Sequence, residues 1–158
     1  MLEGGWHAHR PLWQLTLGGV LERFPTLSFA LVEQGCTWLP ATLQQMDGIA
    51  ATARTGPSLS LKPSEYWRRQ GFISSMAQPD EIEMRDEIGV DTMLWGSVYP
   101  HLEASFPHSR ERLQDWLRGV PEADARKLVG ANVARLYGID LDALAPIAER
   151  VCPDLELV

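Results

Sequence analysis

Cysteine is nearly absent: Cys36 and Cys152 are the only two in 158 residues. They lie far apart and form no CxxC pair or Cys/His cluster, so two separate reduced thiols are expected. No apolar run approaches the ~20 residues that span a bilayer. The first ten residues, Met1 to Arg10, lack the apolar core of a secretory signal. These absences point to a cytoplasmic protein without a membrane partner. Positive charge is also short, with 14 Lys and Arg against 21 Asp and Glu and a net charge of −7. No basic stripe stands out, which argues against a nucleic-acid partner and an anionic lipid surface. Internal repeats and low-complexity tracts are missing as well.

What remains is ordinary globular material. Hydrophobic residues make up 45 % of the chain and charged residues 22 %, enough for one domain over 1–158 with a real core. Pro11 opens a helical face carrying Leu12, Trp13, Leu15, Leu17, Val20, Leu21 and Phe24, closed by Pro25. Gly18 and Gly19 inside it suggest close packing on a neighbour. Leu27 to Val32 reads as a buried strand that stops at Glu33-Gln34-Gly35. Leu39, Leu43, Met46, Ile49, Ala50 and Ala53 read as a second helix, and Thr55 to Ser60 as loop. Gly71 to Met76 is a second strand. Asp80 can cap a short helix running to Ile88, with Gly89 as its left-handed terminator. Thr92 to Trp95 is a third strand.

The rest is helical. Ser109 can cap a helix with Leu113, Trp116 and Leu117 that Gly119 stops. A longer helix runs from about Glu122 to Leu136 and stops at Gly138. Asp140 caps a last one with Leu141, Leu144 and Ile147. Strands alternating with helices imply parallel pairing through right-handed crossovers. Three strands make a thin sheet with two open edges, and a complete (β/α)₈ barrel takes about 250 residues. The predicted fold is therefore α/β: three β/α units plus C-terminal helices, equivalent to the C-terminal portion of a TIM barrel. Its open sheet edges would favour homo-oligomers.

Several segments carry a resemblance. They are His9-Arg10-Pro11-Leu12-Trp13, the run Gly18 to Pro25, Val32-Glu33-Gln34-Gly35, Leu94-Trp95-Gly96-Ser97, Tyr99-Pro100-His101 and the tail Gly130 to Gly138. In this order they resemble the last three strands of the amidohydrolase-related branch of the amidohydrolase superfamily. That branch includes metal-dependent decarboxylases of aminocarboxymuconate semialdehyde and hydroxybenzoates. The resemblance implies a barrel enzyme with a divalent metal, usually zinc, at the C-terminal mouth, acting on a small organic acid or carbonyl compound. The metal would lower the pKa of bound water, or orient substrate and stabilise developing negative charge.

Two departures bear on activity. The family's first-strand ligands have no counterpart from Met1 onward, and Val98 occupies the slot of the last-strand aspartate, a role an isopropyl group cannot fill. The chain alone is accordingly expected to be inactive and not to retain the metal: either a fragment of a metal-dependent hydrolase or decarboxylase, or a non-catalytic partner that completes a barrel.

Among site candidates, Glu33 ends a buried strand, where barrel chemistry is located; its structural alternative is an ion pair with an arginine or a helix cap. In other superfamily members its position holds a metal-binding histidine. His101 follows the last strand and could contact substrate or move a proton, or simply be a hydrogen-bonded loop residue. Glu33 and His101 are the predicted catalytic residues, Glu103 a weaker candidate, and no metal ligand is assigned. His7 and His9 are expected at the surface and His108 at a helix N-terminus. Trp13, Trp38, Trp95 and Trp116 fall on apolar faces and are expected in the core.

Overall fold

The computed structural model describes residue 7 and residues 9–151; Cys152 lies outside them. Three strands form one parallel sheet in chain order: β1 (Phe29–Leu31), β2 (Gly71–Ser75) and β3 (Met93–Trp95). Leu31 pairs with Ile73, and Ile73 with Met93, so one register row runs across all three strands. Successive strand residues point to opposite faces. Leu31, Ile73 and Met93 therefore share the face that joins Leu12, Leu39, Trp67, Ile88, Trp116 and Leu128 in the main core. On the opposite face Phe72 and Leu94 are buried, and the Arg135 guanidinium lies 4.9 Å from the Phe72 ring centroid.

Helices connect and flank the strands: α1 (His9–Leu17), α2 (Val20–Arg23), α3 (Leu39–Thr52), α4 (Pro63–Gln70), α5 (Pro79–Glu83) and α6 (Arg85–Ile88). Beyond β3 come α7 (Ser109–Trp116), α8 (Glu122–Arg126), a π-helical turn at Lys127–Ala131, α9 (Asn132–Tyr137) and α10 (Leu141–Val151). The three parallel strands, each followed by helical chain, are a partial TIM barrel.

Several local expectations are corrected. The helix from Pro11 to Phe24 breaks at Gly18-Gly19, where Gly19 takes φ 72° and a side chain would meet Pro57 at 2.9 Å. Close packing is the reason, and the neighbour is the loop Thr55–Ser60. Val32 lies past the strand and is 58 % exposed, and Ile49 is exposed on α3. The N-cap position of α5 is held by Gln78 rather than Asp80, and that of α7 by His108 rather than Ser109, with no side-chain capping bond from His108. Gly89 has positive φ but ψ 100°, so it is not left-handed helical. The helix expected from Glu122 to Leu136 carries the π turn in its middle.

α4 was not foreseen. Its sequence PSEYWRRQ is short and mostly polar, although Pro63, Tyr66, Trp67 and Gln70 fall on one buried helical face, and it runs into β2 with no intervening loop. Pro63 supplies the first helical φ, and the Glu65 carboxylate accepts the Lys62 N–H at 2.7 Å. Trp67 is wholly buried beneath β2, donating to the Ile88 carbonyl at 3.3 Å. Gln70 fastens the helix end to the entry of β1 through 2.8 Å bonds to the Phe24 and Leu27 carbonyls. At the other flank, buried Asn132 donates to the carbonyls of Val90 and Met93 at 2.7 and 2.8 Å, pinning α9 to β3.

Candidate active site

All three strands run parallel, so their C-terminal ends form one rim. Each is followed within three residues by a non-glycine at positive φ: Glu33 at 59°, Ala77 at 57° and Val98 at 57°. Left-handed backbone is uncommon outside glycine and is an outlier for a β-branched side chain such as Val98. Strain of this kind persists only where the surroundings fix it, and it concentrates at functional sites.

Around Ala77 the fixing group is Glu81, which is 2 % exposed. Its Oε1 accepts the Cys36 N–H at 3.1 Å. Its Oε2 accepts the Ser75 hydroxyl at 2.6 Å and the N–H groups of Met76 and Gln78, both at 3.0 Å. One carboxylate thus ties the β1 exit loop, the end of β2 and the first turn of α5. Burial raises the pKa of the Cys36 thiol, with the neighbouring Glu81 adding to the effect, so Cys36 is an inert packing residue. Glu81 went unrecognised in the sequence, although Gln78-Pro79-Asp80-Glu81 carries the capping signal of proline at the first helical position and Glu at the third.

Glu33 emerges at the rim with an exposed side chain, while its N–H donates to Ser74 Oγ at 3.0 Å, linking β1 to β2. Beside it, the Gln34 Oε1 is buried without a hydrogen-bond partner. His101 sits in the loop after β3, which closes on itself through Ser105 N to Ser97 O at 3.0 Å and His101 N to Val98 O at 2.9 Å. Its Nδ1 contacts Glu103 Oε2. Hydrogen bonding and charge from Glu103 raise the His101 pKa above the ordinary histidine value, and the Glu33 carboxylate adds a weaker pull from across the sheet. Glu103 is correspondingly held below the usual carboxylate range, chiefly by its hydrogen bond to His101. The structure therefore brings Glu33, His101 and Glu103 into one electrostatic neighbourhood.

The other histidines divide. His108 is the N-cap of α7, as expected. His9 is not a plain surface residue: it is half-buried and stacked on Trp38 with centroids 3.7 Å apart, and desolvation lowers its pKa. Trp38 in turn donates to the Gly35 carbonyl at 3.1 Å, so this stack backs the loop carrying Glu33. Trp116 is buried; Trp13, Trp38 and Trp95 pack partly buried against the core.

The family model described as "Amidohydrolase" matches residues 7–139. This chain belongs to the amidohydrolase family. An amidohydrolase from Mycobacterium avium subsp. paratuberculosis superposes with a TM-score of 0.71 at 27% identity, covering 81% of this chain and 32% of its own. The 5-carboxyvanillate decarboxylase of Sphingomonas paucimobilis gives 0.71 at 25%, covering 86% and 41%. A dihydroxybenzoic acid decarboxylase from Polaromonas sp. JS666, solved with manganese and 2-nitroresorcinol, shares the fold, with a TM-score of 0.65 at 22% identity and coverage of 85% and 41%. The chain therefore spans about a third to two fifths of the length of these amidohydrolases. No curated protein sequence matches it.

Among the described residues no group of three or more His, Cys, Asp or Glu side chains converges as a metal site. Glu33, His101 and Glu103 lie at the right end of the sheet, but Val98 offers no donor. The described residues of this chain do not make a metal centre by themselves.

Proposed function

We propose that this chain supplies the last three β/α units of an amidohydrolase-family enzyme, a hydrolase or decarboxylase acting on a small organic acid or carbonyl compound. Glu33 and His101 face its substrate. The observation that carries this reading is their shared place at the C-terminal rim, where Glu33 and Glu103 both favour the protonated imidazole. A protonated His101 can pair with a substrate carboxylate or deliver a proton to developing negative charge, and Glu33 can accept one. The likeness to a 5-carboxyvanillate decarboxylase makes aromatic hydroxy acids the first substrates to try.

A second reading, that the chain is a non-catalytic, barrel-completing subunit, is favoured by one specific observation. Val98 stands where the family resemblance places an aspartate, and among the described residues no three-donor group gathers around it. Metal analysis of the purified protein, with turnover assays on carboxylated phenols, separates the two. Stoichiometric metal with turnover that His101→Ala and Glu33→Ala each reduce at least 100-fold supports the catalytic reading. A metal-free, inactive protein overturns it and supports the second.

A further inference from the structure

A cavity of about 490 Å³ lies between the β2–α5 exit, α6 and the C-terminal half of α7. None of the residues lining it belongs to the loops that carry Glu33 and His101. Arg85, Arg112 and Arg118 all line it, an unusual gathering in a chain of net charge −7. Two acids, Glu83 and Asp115, also line it. Asp115 is already engaged by Arg118 at 2.7 Å, whereas no ion pair joins Glu83 to these arginines.

Arg85 is the member of the three that a backbone carbonyl holds in place. Its Nη1 donates to the Ile82 carbonyl at 3.0 Å, while its Nε is buried with no hydrogen-bond partner. That Nε is sealed from solvent, so Arg85 meets the cavity through the other donors of its guanidinium, a group that suits carboxylates through paired N–H donors. The rest of the wall supplies apolar contact and a fixed shape. Ile82, Trp116 and Val120 line it, and the Trp116 indole is immobilised by donating to the Gln78 carbonyl at 3.0 Å. Ala77, at φ 57°, lies in the wall, its N–H held by Ser75 Oγ at 3.0 Å and its neighbours Met76 and Gln78 by Glu81.

We propose that this cavity is a binding site for a small organic carboxylate. The carboxylate pairs with Arg85, Arg112 strengthens the field at the entrance, and an apolar body lies against Ile82 and Trp116. Benzoate, titrated at constant ionic strength in chloride, is the probe, followed by calorimetry and by the Trp116 indole N–H resonance. Saturable binding is expected, shifting that resonance. Arg85→Gln should weaken it at least 10-fold and Arg112→Gln about 3-fold, while Asp115→Asn, which releases Arg118, should tighten it. Inorganic phosphate, which lacks the apolar body, should compete at least 10-fold less well.

Thermal unfolding checks that Arg85→Gln still folds. If it does not, the opposed effects of Arg112→Gln and Asp115→Asn decide alone. No saturable benzoate binding, binding unchanged in these variants, or a shift confined to His101 overturns the proposal. Phosphate binding as tightly as benzoate overturns the organic-carboxylate assignment.

Discussion

At the scale of single residues, Val98 is the most informative position. Its φ of 57° is one that glycine, asparagine and aspartate adopt far more readily than a β-branched residue. The backbone thus has the conformation suited to an aspartate while the side chain cannot use it. Val98→Gly and Val98→Asn should therefore raise stability by about 1 kcal/mol, less whatever packing the half-buried isopropyl group provides. Urea unfolding midpoints at unchanged slope measure the effect; a loss of stability in both variants would show that packing outweighs strain. Val98→Asp should also fold, which makes it a usable variant for metal-binding trials.

The pair His101–Glu103 gives a pH prediction. The raised His101 pKa contributes stability that is fully present below the ordinary histidine value and is lost as pH rises through the folded value. The lowered Glu103 pKa contributes stability present above the ordinary carboxylate value and lost as pH falls through the folded one. The pair therefore helps most between these limits, and because both side chains are exposed its energetic effect is small. Glu103→Gln should bring the His101 titration down toward the ordinary histidine value in an NMR pH series. An unmoved midpoint would mean that Glu103 does not hold the proton in place.

At the scale of elements, the α4–β2 junction and the Glu81 hub carry the rim. A side chain at Gly71 would sit 2.3 Å from the Trp67 ring, and Trp67 has no exposed surface into which to retreat. Gly71→Ala should cost about 1–3 kcal/mol by overpacking, seen as a lower denaturation midpoint. Glu81→Gln replaces an oxygen with a donor where the hub meets only donors, so a loss of about 2–3 kcal/mol is expected. A near-neutral Glu81→Gln in thermal melts would mean that the exit loops hold their shape without it.

These two elements also show what the sequence reveals and what it hides. The strands were legible because a short apolar run ending in polar residues admits few other readings, and Glu33 and His101 followed from those ends. α4 was hidden because it is short and mostly polar: its buried face, Pro63, Tyr66, Trp67 and Gln70, has helical spacing, but Gln70 is buried only by meeting the Phe24 and Leu27 carbonyls in the folded chain. His9 looked like a terminal surface residue because its partner, Trp38, is 29 positions away and meets it only in the folded chain. Glu81 was hidden differently: its capping signal is local, but its bonds to Cys36 and Ser75 depend on the sheet.

At the scale of the whole molecule, stability should fall outward from β2, the one strand with a neighbour on each side. β1 and β3 each leave an edge unpaired within the described sheet. α10 lies furthest out: none of its residues is buried, Leu144 and Ile147 are 43 % and 45 % exposed, and Pro146 removes a donor from its interior. Asp140 Oδ1 accepts the N–H groups of Asp142 and Ala143 at 3.0 and 3.1 Å, which starts the helix but does not anchor it. A short helix without tertiary burial is marginal in water. In dilute solution the amides of α10 should therefore exchange nearly unprotected, while those of Phe72, Ile73 and Ser74 exchange only on global opening. Protection in α10 equal to that of β2 at low concentration would contradict this ordering. Protection in α10 that grows with protein concentration would instead show copies of the chain covering its apolar face.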